Sequence, residues 1–317
     1  MALIRPQLLV LRALGLGDFL TGVPALRALR SARPDHELVL AAPPVLEPLV
    51  RLAGVADRLL GTGGLAAPAW SGGPPDLAVN LHGRGPRSHE LLRALHPALL
   101  VGFGCAAAGH DGPAWDDDEH EVRRWCRLVE EGLQVGADPQ DLKLPAPSTP
   151  APAPGAVVVH PGAAYPSRRW PPDRFAAVAR ALVGTGHDVV LTGGPDEAPL
   201  ARAVAARAGL PPEAVLAGNT GLLELAAQVA SARLVVCGDT GVAHLATAFG
   251  TPSVVLFGPM PPQRWGPPAD GPHTVLWHGT GVGDPWGDHV DPALLRIGVD
   301  EVLDRVAARL GPVPSLR

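Results

Sequence analysis

The sequence predicts an α/β protein built from two doubly wound parallel sheets, and three observations lead to this prediction. Short apolar runs alternate with helical segments along most of the chain, which is typical of parallel sheets covered by helices. A stretch rich in proline and alanine, 144–155 (LPAPSTPAPAPG), interrupts the alternation near the middle. The segment 233–259 shows a strand, a tight turn, a helix and another strand in that order.

Four strands and four helices are predicted before the interruption. The strands are Leu8–Ala13, Glu37–Ala42, Asp76–Leu81 and Leu99–Phe103. The helices are Val23–Arg33, Val45–Leu52, a segment from the polar turn 82–85 through Leu95, and Glu119–Gly132. A glycine-rich turn, Leu14–Asp18 (LGLGD), joins the first strand to the first helix.

The proline-rich stretch predicts the domain boundary, because its prolines cannot continue a helix or a central strand. We therefore expect an N-terminal Rossmann-like domain at 1–145, a linker at 146–155 and a C-terminal Rossmann-like domain at 156–317. The last predicted helix is a candidate to pack back on the N-terminal domain.

The alternation restarts after the linker. Strands are predicted at Ala156–His160, His187–Thr192, Val215–Leu216, Arg233–Cys237 and Ser253–Phe257. Helices are predicted at Pro171–Val183, Asp196–Ala208, Leu222–Ala232, Val242–Phe249 and Val299–Leu310. Two such α/β halves predict a ligand cleft at the carboxyl ends of their strands.

The turn at 238–241 (GDTG) is the most informative local feature. It follows a buried strand and opens a helix that Gly250 ends. A helix that begins at the end of a parallel strand directs free backbone N–H groups and a positive dipole at the space above the sheet. Gly241 leaves no side chain in the way, so the turn predicts a site for a phosphorylated ligand.

Charge and composition exclude several classes of protein. The 26 lysines and arginines are outnumbered by 31 aspartates and glutamates, for a net charge of −5. This balance argues against a nucleic-acid partner and shows no polybasic membrane patch. The three cysteines match no zinc spacing. Since no long apolar run or signal-peptide core is present, we expect a cytoplasmic protein with at most peripheral membrane contact.

Seven segments together resemble glycosyltransferase family 9, the heptosyltransferase family. They are LGLGDFLTGVPALRAL (14–29), LAVNLHGRGPRS (77–88), VGFG (101–104), HPGAAYPSRRWPPDRF (160–175), VVLTGGPDE (189–197), GNTGLLELA (218–226) and CGDTGVAHLATAFGTPSVVLFGP (237–259). The resemblance implies the GT-B fold, with an acceptor domain followed by a donor domain. It also implies an inverting transferase that needs no metal and uses a nucleotide sugar, with ADP-heptose the family's typical donor.

The resemblance implies that Asp18 is the catalytic base, since the aspartate of a GD pair has that role in the family. The position of Asp18 in the turn after the first strand agrees with this role. Aspartate is also a good helix cap, so the alternative is that Asp18 only caps the helix that follows.

The donor diphosphate is expected on the C-terminal half. Family members usually carry lysine two residues before the tryptophan that Trp170 matches, and here the position is Arg168, with Arg169 as the alternative. The other expected donor-binding residues lie in the loops after two strands: His160, Gly162, Asp239, Thr240, Gly241 and His244. Asp239 would repel a diphosphate, so orienting the helix start or binding sugar hydroxyls fits it better.

Arg84 and Gly17 are the expected acceptor-binding residues. The acceptor itself stays open between a glycan, a lipid-linked saccharide, a small molecule and a protein, because the chain is acidic and its segment 65–75 is uncharged. The acidic run 116–119 is typical of a helix start, and no metal or other cofactor is expected. The alternative function is a non-catalytic subunit of the same fold that binds nucleotide sugars.

Overall fold

The computed structural model describes residues 5–311 and divides into two compact units, one ending at Leu142 and the other starting at Lys143. The division precedes the proline-rich stretch, which contains neither helix nor strand between residues 144 and 155. Within the described residues, no helix is both long and apolar enough to span a membrane.

The N-terminal unit is built on a five-stranded parallel sheet. Its strands are β1 (Gln7–Leu11), β2 (Glu37–Ala42), β3 (Arg58–Gly61), β4 (Leu77–Asn80) and β5 (Leu99–Val101), in the order β3-β2-β1-β4-β5. Leu9 pairs with Val39 on one side and with Ala78 on the other. The chain runs from β1 outward to β3 and then returns to the far side of β1, so the switch in direction lies between β1 and β4.

Four helices accompany this sheet: α1 (Leu16–Ala32), α2 (Glu47–Ala53), α3 (Arg87–Arg93) and α4 (Glu121–Leu133). Helix α1 begins within the predicted glycine-rich turn, with Gly15 as its N-cap, and continues through Pro24. Its buried face, which includes Phe19, Leu20, Val23 and Leu26, explains why helix forms despite the glycines and the proline.

The C-terminal unit is also built on a five-stranded parallel sheet. Its strands are β6 (Val157–His160), β7 (Val189–Leu191), β8 (Leu234–Gly238), β9 (Ser253–Phe257) and β10 (His273–Trp277), all parallel, in the order β10-β9-β8-β6-β7. The switch in direction lies between β6 and β8. Every residue of β6, β8 and β9 is buried, as expected for strands covered on both faces.

Up to residue 311, the C-terminal unit contains seven α-helices. They are α5 (Pro172–Gly184), α6 (Ala198–Ala208), α7 (Leu222–Ala230), α8 (Gly241–Phe249), α9 (Pro262–Trp265), α10 (Pro292–Arg296) and α11 (Val299–Leu310). Helix α11 packs against α5, β8 and β9 of its own unit. In the core, Trp170 meets Phe175 edge to face at 5.0 Å between ring centroids.

Most predicted elements are confirmed within a few residues, and four short ones were missed. Glu37–Ala42 and Val299–Leu310 have the predicted bounds. The strands β3 and β10 and the helices α9 and α10 are short, at four or five residues each. The predicted strand Val215–Leu216 is reduced to a single bridge between Val215 and Leu191.

A buried ion network joins β1 to α4 in the N-terminal unit. The Arg12 side chain is 1% exposed and lies 3.2 Å from a carboxylate oxygen of Glu121, which is 5% exposed. Glu121 also pairs with Arg124 and accepts a hydrogen bond from the Trp125 indole at 2.6 Å. Three polar partners thus share one buried carboxylate. Removing one member of such a buried network lowers the free energy of unfolding strongly.

We expect Glu121→Ala to lower the free energy of unfolding by about 3–5 kcal/mol, because it leaves the buried guanidinium of Arg12 without its carboxylate. The matched control is Glu47→Ala, which removes an exposed pair with Arg51 on α2 and should cost less than about 0.5 kcal/mol. Urea unfolding of both variants checks this. Equal losses would contradict the stabilising role of the network.

Candidate functional site

The polar residues of both units gather where parallel strands end. Open parallel sheets bind ligands outside the carboxyl ends of their strands, at the point where strand order reverses. In the N-terminal unit this point lies between β1 and β4, and in the C-terminal unit between β6 and β8.

Arg12, one residue beyond β1, organises the N-terminal edge. Its Nε donates to the backbone carbonyl of Asp18, and one terminal nitrogen donates to the carbonyl of Leu81 beyond β4. The other terminal nitrogen donates to the Thr21 hydroxyl at 3.0 Å and to Glu121. The guanidinium therefore ties the end of β1 to the start of α1, to the end of β4 and to α4.

Asp18 lies in the first turn of α1, not in the turn before it. Burial raises the pKa of the Asp18 carboxyl above its ordinary value, and the charge of Glu121 adds to the rise. Arg12 and the backbone N–H groups of Gly15 and Asp18 oppose it. A carboxylate with a raised pKa is a stronger base than an ordinary one.

The N–H of Gly15 lowers the pKa of Asp18, but no side-chain capping hydrogen bond is present at the start of α1. The capping alternative therefore stays open beside the catalytic one. The catalytic role stays a prediction.

The two expected acceptor-binding residues occupy different settings. Gly17 lies beside Asp18 in the first turn of α1. Arg84 lies in the loop between β4 and α3, where its side chain is 64% exposed and 3.5 Å from the Asp117 carboxylate. An exposed pair of this kind holds its partners weakly, so Arg84 is available to a ligand.

On the C-terminal edge, His160 ends β6 and is buried. Its Nδ1 lies 3.0 Å from the Thr192 hydroxyl, and its Nε2 lies 3.9 Å from a carboxylate oxygen of Glu197. Burial lowers the pKa of His160, and the Glu197 charge only partly opposes this. The imidazole is therefore neutral at pH 7 and fixed in orientation.

Gly162 and Glu197 form a close contact that the sequence analysis missed. A methyl group at position 162 would lie 2.1 Å from a carboxylate oxygen of Glu197, so a larger residue there would displace the Glu197 side chain. Glu197 also accepts a hydrogen bond from the N–H of Gly194 at 2.8 Å. No local pattern in the sequence marks the contact with Gly162, because the two residues are far apart in the chain.

The N-terminus of α8 follows β8 directly, with Thr240 as its N-cap in an extended conformation. Its side chain makes no capping hydrogen bond, and its Oγ1 is buried with no partner among residues 5–311. The free N–H groups of this helix and its dipole favour an anion at the same point.

Arg168 and Ser167 carry two further unpartnered atoms in the same region. The Nε of Arg168 and the Oγ of Ser167 are both buried with no hydrogen-bond partner in the described part of the chain. A Cβ at Gly238, just before the α8 turn, would lie 3.1 Å from the carbonyl oxygen of Arg168. Leaving such polar groups unpaired costs about 1–3 kcal/mol each, which an anionic ligand would recover.

Arg169 differs from Arg168 in this respect. Its Nε donates to the carbonyl of Ala163 at 2.9 Å, which braces the loop after β6. The two neighbouring arginines differ at Nε, which is buried without a partner among residues 5–311 in Arg168 and bonded in Arg169. This difference favours Arg168 as the diphosphate ligand, and the choice between the two stays a prediction.

Asp239 and His244 complete the expected set. Asp239 is buried at the end of β8, and its N–H donates to the carbonyl of Leu256 on β9 at 3.2 Å. His244 lies one turn into α8, with its ring 6.0 Å from that of Trp265. Both share the carboxyl edge with Thr240 and Gly241, and their contacts with a ligand stay predictions.

The acidic run 116–119 lies before α4, as the helix-start interpretation expects. No group of three or more histidine, cysteine, aspartate or glutamate side chains within residues 5–311 is arranged to hold a metal ion.

The chain was compared with known proteins. The sequence model described as glycosyltransferase family 9 (heptosyltransferase) matches residues 111–280. The lipopolysaccharide heptosyltransferase 3 of Escherichia coli is 34% identical over 161 residues, which is 50% of this chain and 47% of that protein. The alignment thus spans about half the length of this relative.

Two solved structures share the fold along nearly the whole chain. One is a family 9 glycosyl transferase from Veillonella parvula DSM 2008, with a TM-score of 0.78, 20% identity and 98% of both chains covered. The other is the E. coli ADP-heptose lps heptosyltransferase II, with a TM-score of 0.77, 20% identity, and 96% of this chain and 98% of that chain covered. The likeness confirms the expected α/β fold of the GT-B type.

We expect Asp18→Asn to unfold at an equal or higher urea concentration than the wild type at pH 7.5. Because the pKa of Asp18 is raised in the folded protein, ionisation costs stability as pH rises through that pKa. Asparagine removes this cost and keeps nearly the same side-chain shape with one accepting oxygen. The difference should vanish below the ordinary carboxyl value of 3.8. A clear loss of stability at pH 7.5 would show that the ionised carboxylate stabilises the fold.

Proposed function

Because the chain belongs to glycosyltransferase family 9, we propose that it transfers a heptose from ADP-heptose to a hydroxyl of a lipopolysaccharide-type glycan, with inversion at the anomeric carbon. The observation that carries the proposal is the set of unpartnered polar atoms around the N-terminus of α8, on Ser167, Arg168 and Thr240. Unused donors beside a helix N-terminus suit the diphosphate of a sugar nucleotide.

The choice of substrates is supported by the names of the relatives. One similar protein is called a lipopolysaccharide heptosyltransferase, and one similar structure is called an ADP-heptose lps heptosyltransferase. Both names describe the activities of those proteins. For this chain they favour ADP-heptose over GDP- or UDP-sugars and a core saccharide over a protein acceptor.

In this proposal the C-terminal unit binds the donor. The N–H groups at the start of α8 and the Arg168 guanidinium receive the diphosphate oxygens, where negative charge grows as the sugar departs. Thr240 adds its hydroxyl. Neutral His160, held by Thr192, lines the same edge without adding a charge.

The N-terminal unit supplies the base. Ionised Asp18 takes the proton of the acceptor hydroxyl as that oxygen attacks the anomeric carbon. The bond between this carbon and the diphosphate oxygen breaks, and ADP leaves from the opposite face, so the anomeric configuration inverts. The raised pKa of Asp18 brings its basicity closer to working pH.

Positive charge for the leaving group comes from Arg168 and the helix N-terminus. We therefore propose that the reaction needs no metal ion and proceeds in the presence of a chelator. A guanidinium offers two donors in a plane and stays charged at any working pH.

We expect the purified protein, in EDTA, to release ADP from ADP-heptose only when a saccharide acceptor is present. The probe acceptor is deacylated lipopolysaccharide from a heptose-deficient strain. Product mass should rise by one heptose, and the NMR signal of its anomeric proton should show the configuration opposite to that of the donor. In Asp18→Asn, kcat should fall about 10²–10⁴-fold.

The wild-type kcat/KM should fall tenfold per pH unit below the raised pKa of Asp18, because only the ionised carboxylate accepts a proton. A product of retained configuration would contradict the inverting mechanism. Binding of ADP-heptose with neither transfer nor hydrolysis would favour a non-catalytic nucleotide-sugar subunit instead.

We expect Arg168→Ala to raise the Kd of ADP about 10- to 100-fold, as for the loss of a charged hydrogen bond. Arg169→Ala is the matched control, and it should change Kd by less than about threefold, since its Nε serves the loop after β6. Isothermal titration calorimetry with ADP checks both. An equal or larger effect of Arg169→Ala would reverse the assignment.

A further inference from the structure

His82 stands at the switch point of the N-terminal sheet and has no role in the mechanism above. It comes two residues after the end of β4, the strand that pairs with β1. The residue is half-buried. Its Nδ1 is buried and, among residues 5–311, has no hydrogen-bond partner, which leaves Nε2 as the ring nitrogen that faces solvent.

The backbone around His82 is held firmly on both sides. The buried side chain of Asn80 accepts a hydrogen bond from the N–H of His82 at 3.1 Å and donates to the carbonyl of Gly83 at 3.2 Å. Arg12 donates to the carbonyl of Leu81. Three backbone groups around His82 are thus anchored, while the Nδ1 of its imidazole has no partner among residues 5–311.

The guanidinium of Arg12 also connects the backbone next to His82 with that of Asp18. Arg12 donates to the backbone carbonyl of Asp18 as well as to that of Leu81, so both residues border one fixed group. Burial and the positive charge of Arg12 lower the pKa of His82. A neutral imidazole has one donor and one acceptor nitrogen. Since the buried Nδ1 has no acceptor for a proton among the described residues, the tautomer that carries the proton on Nε2 is favoured.

We propose that His82 is an acceptor-binding residue. Its Nε2 donates a hydrogen bond to a hydroxyl oxygen of the acceptor saccharide, the same molecule whose attacking hydroxyl Asp18 deprotonates. The inference rests on the proposed function. A sugar hydroxyl suits this position because it accepts from Nε2 while its own proton stays available to another acceptor. The anchored loop holds the imidazole ready, so little ordering is needed on binding.

Three variants separate this role from a structural one. In glutamine the side-chain amide nitrogen occupies the ε position of histidine, whereas in asparagine it occupies the δ position. We expect kcat/KM for deacylated heptose-deficient lipopolysaccharide to fall at least tenfold in His82→Ala and His82→Asn. We expect His82→Gln to stay within threefold of the wild type. The Kd of ADP should be unchanged in all three.

His36→Ala is the matched control. His36 also has a buried, unpartnered Nδ1, but it precedes β2, at the amino edge of the same sheet. Its removal should not change the KM for the acceptor, while its effect on thermal unfolding should resemble that of His82→Ala. If His82→Ala fails to fold, the comparison between glutamine and asparagine still decides the question.

The outcomes distinguish the inference from the proposed function. If the wild type transfers no heptose to the probe, the proposed function fails and this inference with it. If the wild type transfers heptose and His82→Ala matches it, only this inference fails. Equal losses in His82→Gln and His82→Asn would also overturn it, because they would show that the ε nitrogen has no special role.

Discussion

Parallel strand pairing is the constraint on which the rest of this structure depends. When all strands of a sheet run the same way, every strand ends at one edge and every following helix begins there. The loops after β1, β4, β6 and β8 therefore meet at the two switch points. Polar residues that are far apart in the sequence become neighbours there without any further device.

The two edges differ in how their arginines are paired, although His82 at the N-terminal edge also keeps a nitrogen that is unpartnered within residues 5–311. At the N-terminal edge, Arg12 has a partner for each of its nitrogens, and Glu121 serves two arginines and a tryptophan. At the C-terminal edge, Arg168, Ser167 and Thr240 each keep a buried polar atom without a partner among the described residues. A base needs a fixed environment that sets its pKa, whereas an anion site needs donors that the protein has not used itself.

Local patterns predicted the long elements well and the short ones poorly. The buried strands of the C-terminal sheet and the helix before Gly250 were predicted because their apolar periods and end signals are complete within one segment. Helix α1 begins seven residues earlier than predicted, since its glycines and Pro24 argue against helix while its buried face favours it. The strands β3 and β10 are too short for alternation to be read, and the sheet edge beside them completes their hydrogen bonds.

The sequence by itself determined the fold class, the turn at the start of α8 and the family, because each depends on residues close together in the chain. Only the tertiary structure decided which polar atoms find partners. Arg12 meets Glu121 across 109 positions, Glu197 fills the space that Gly162 leaves, and the Nε of Arg169 is bonded where that of Arg168 is not. Periodicity and spacing describe one segment at a time. The partner of a buried polar group is set by where other segments pass, and so it is known only once the sheets are assembled.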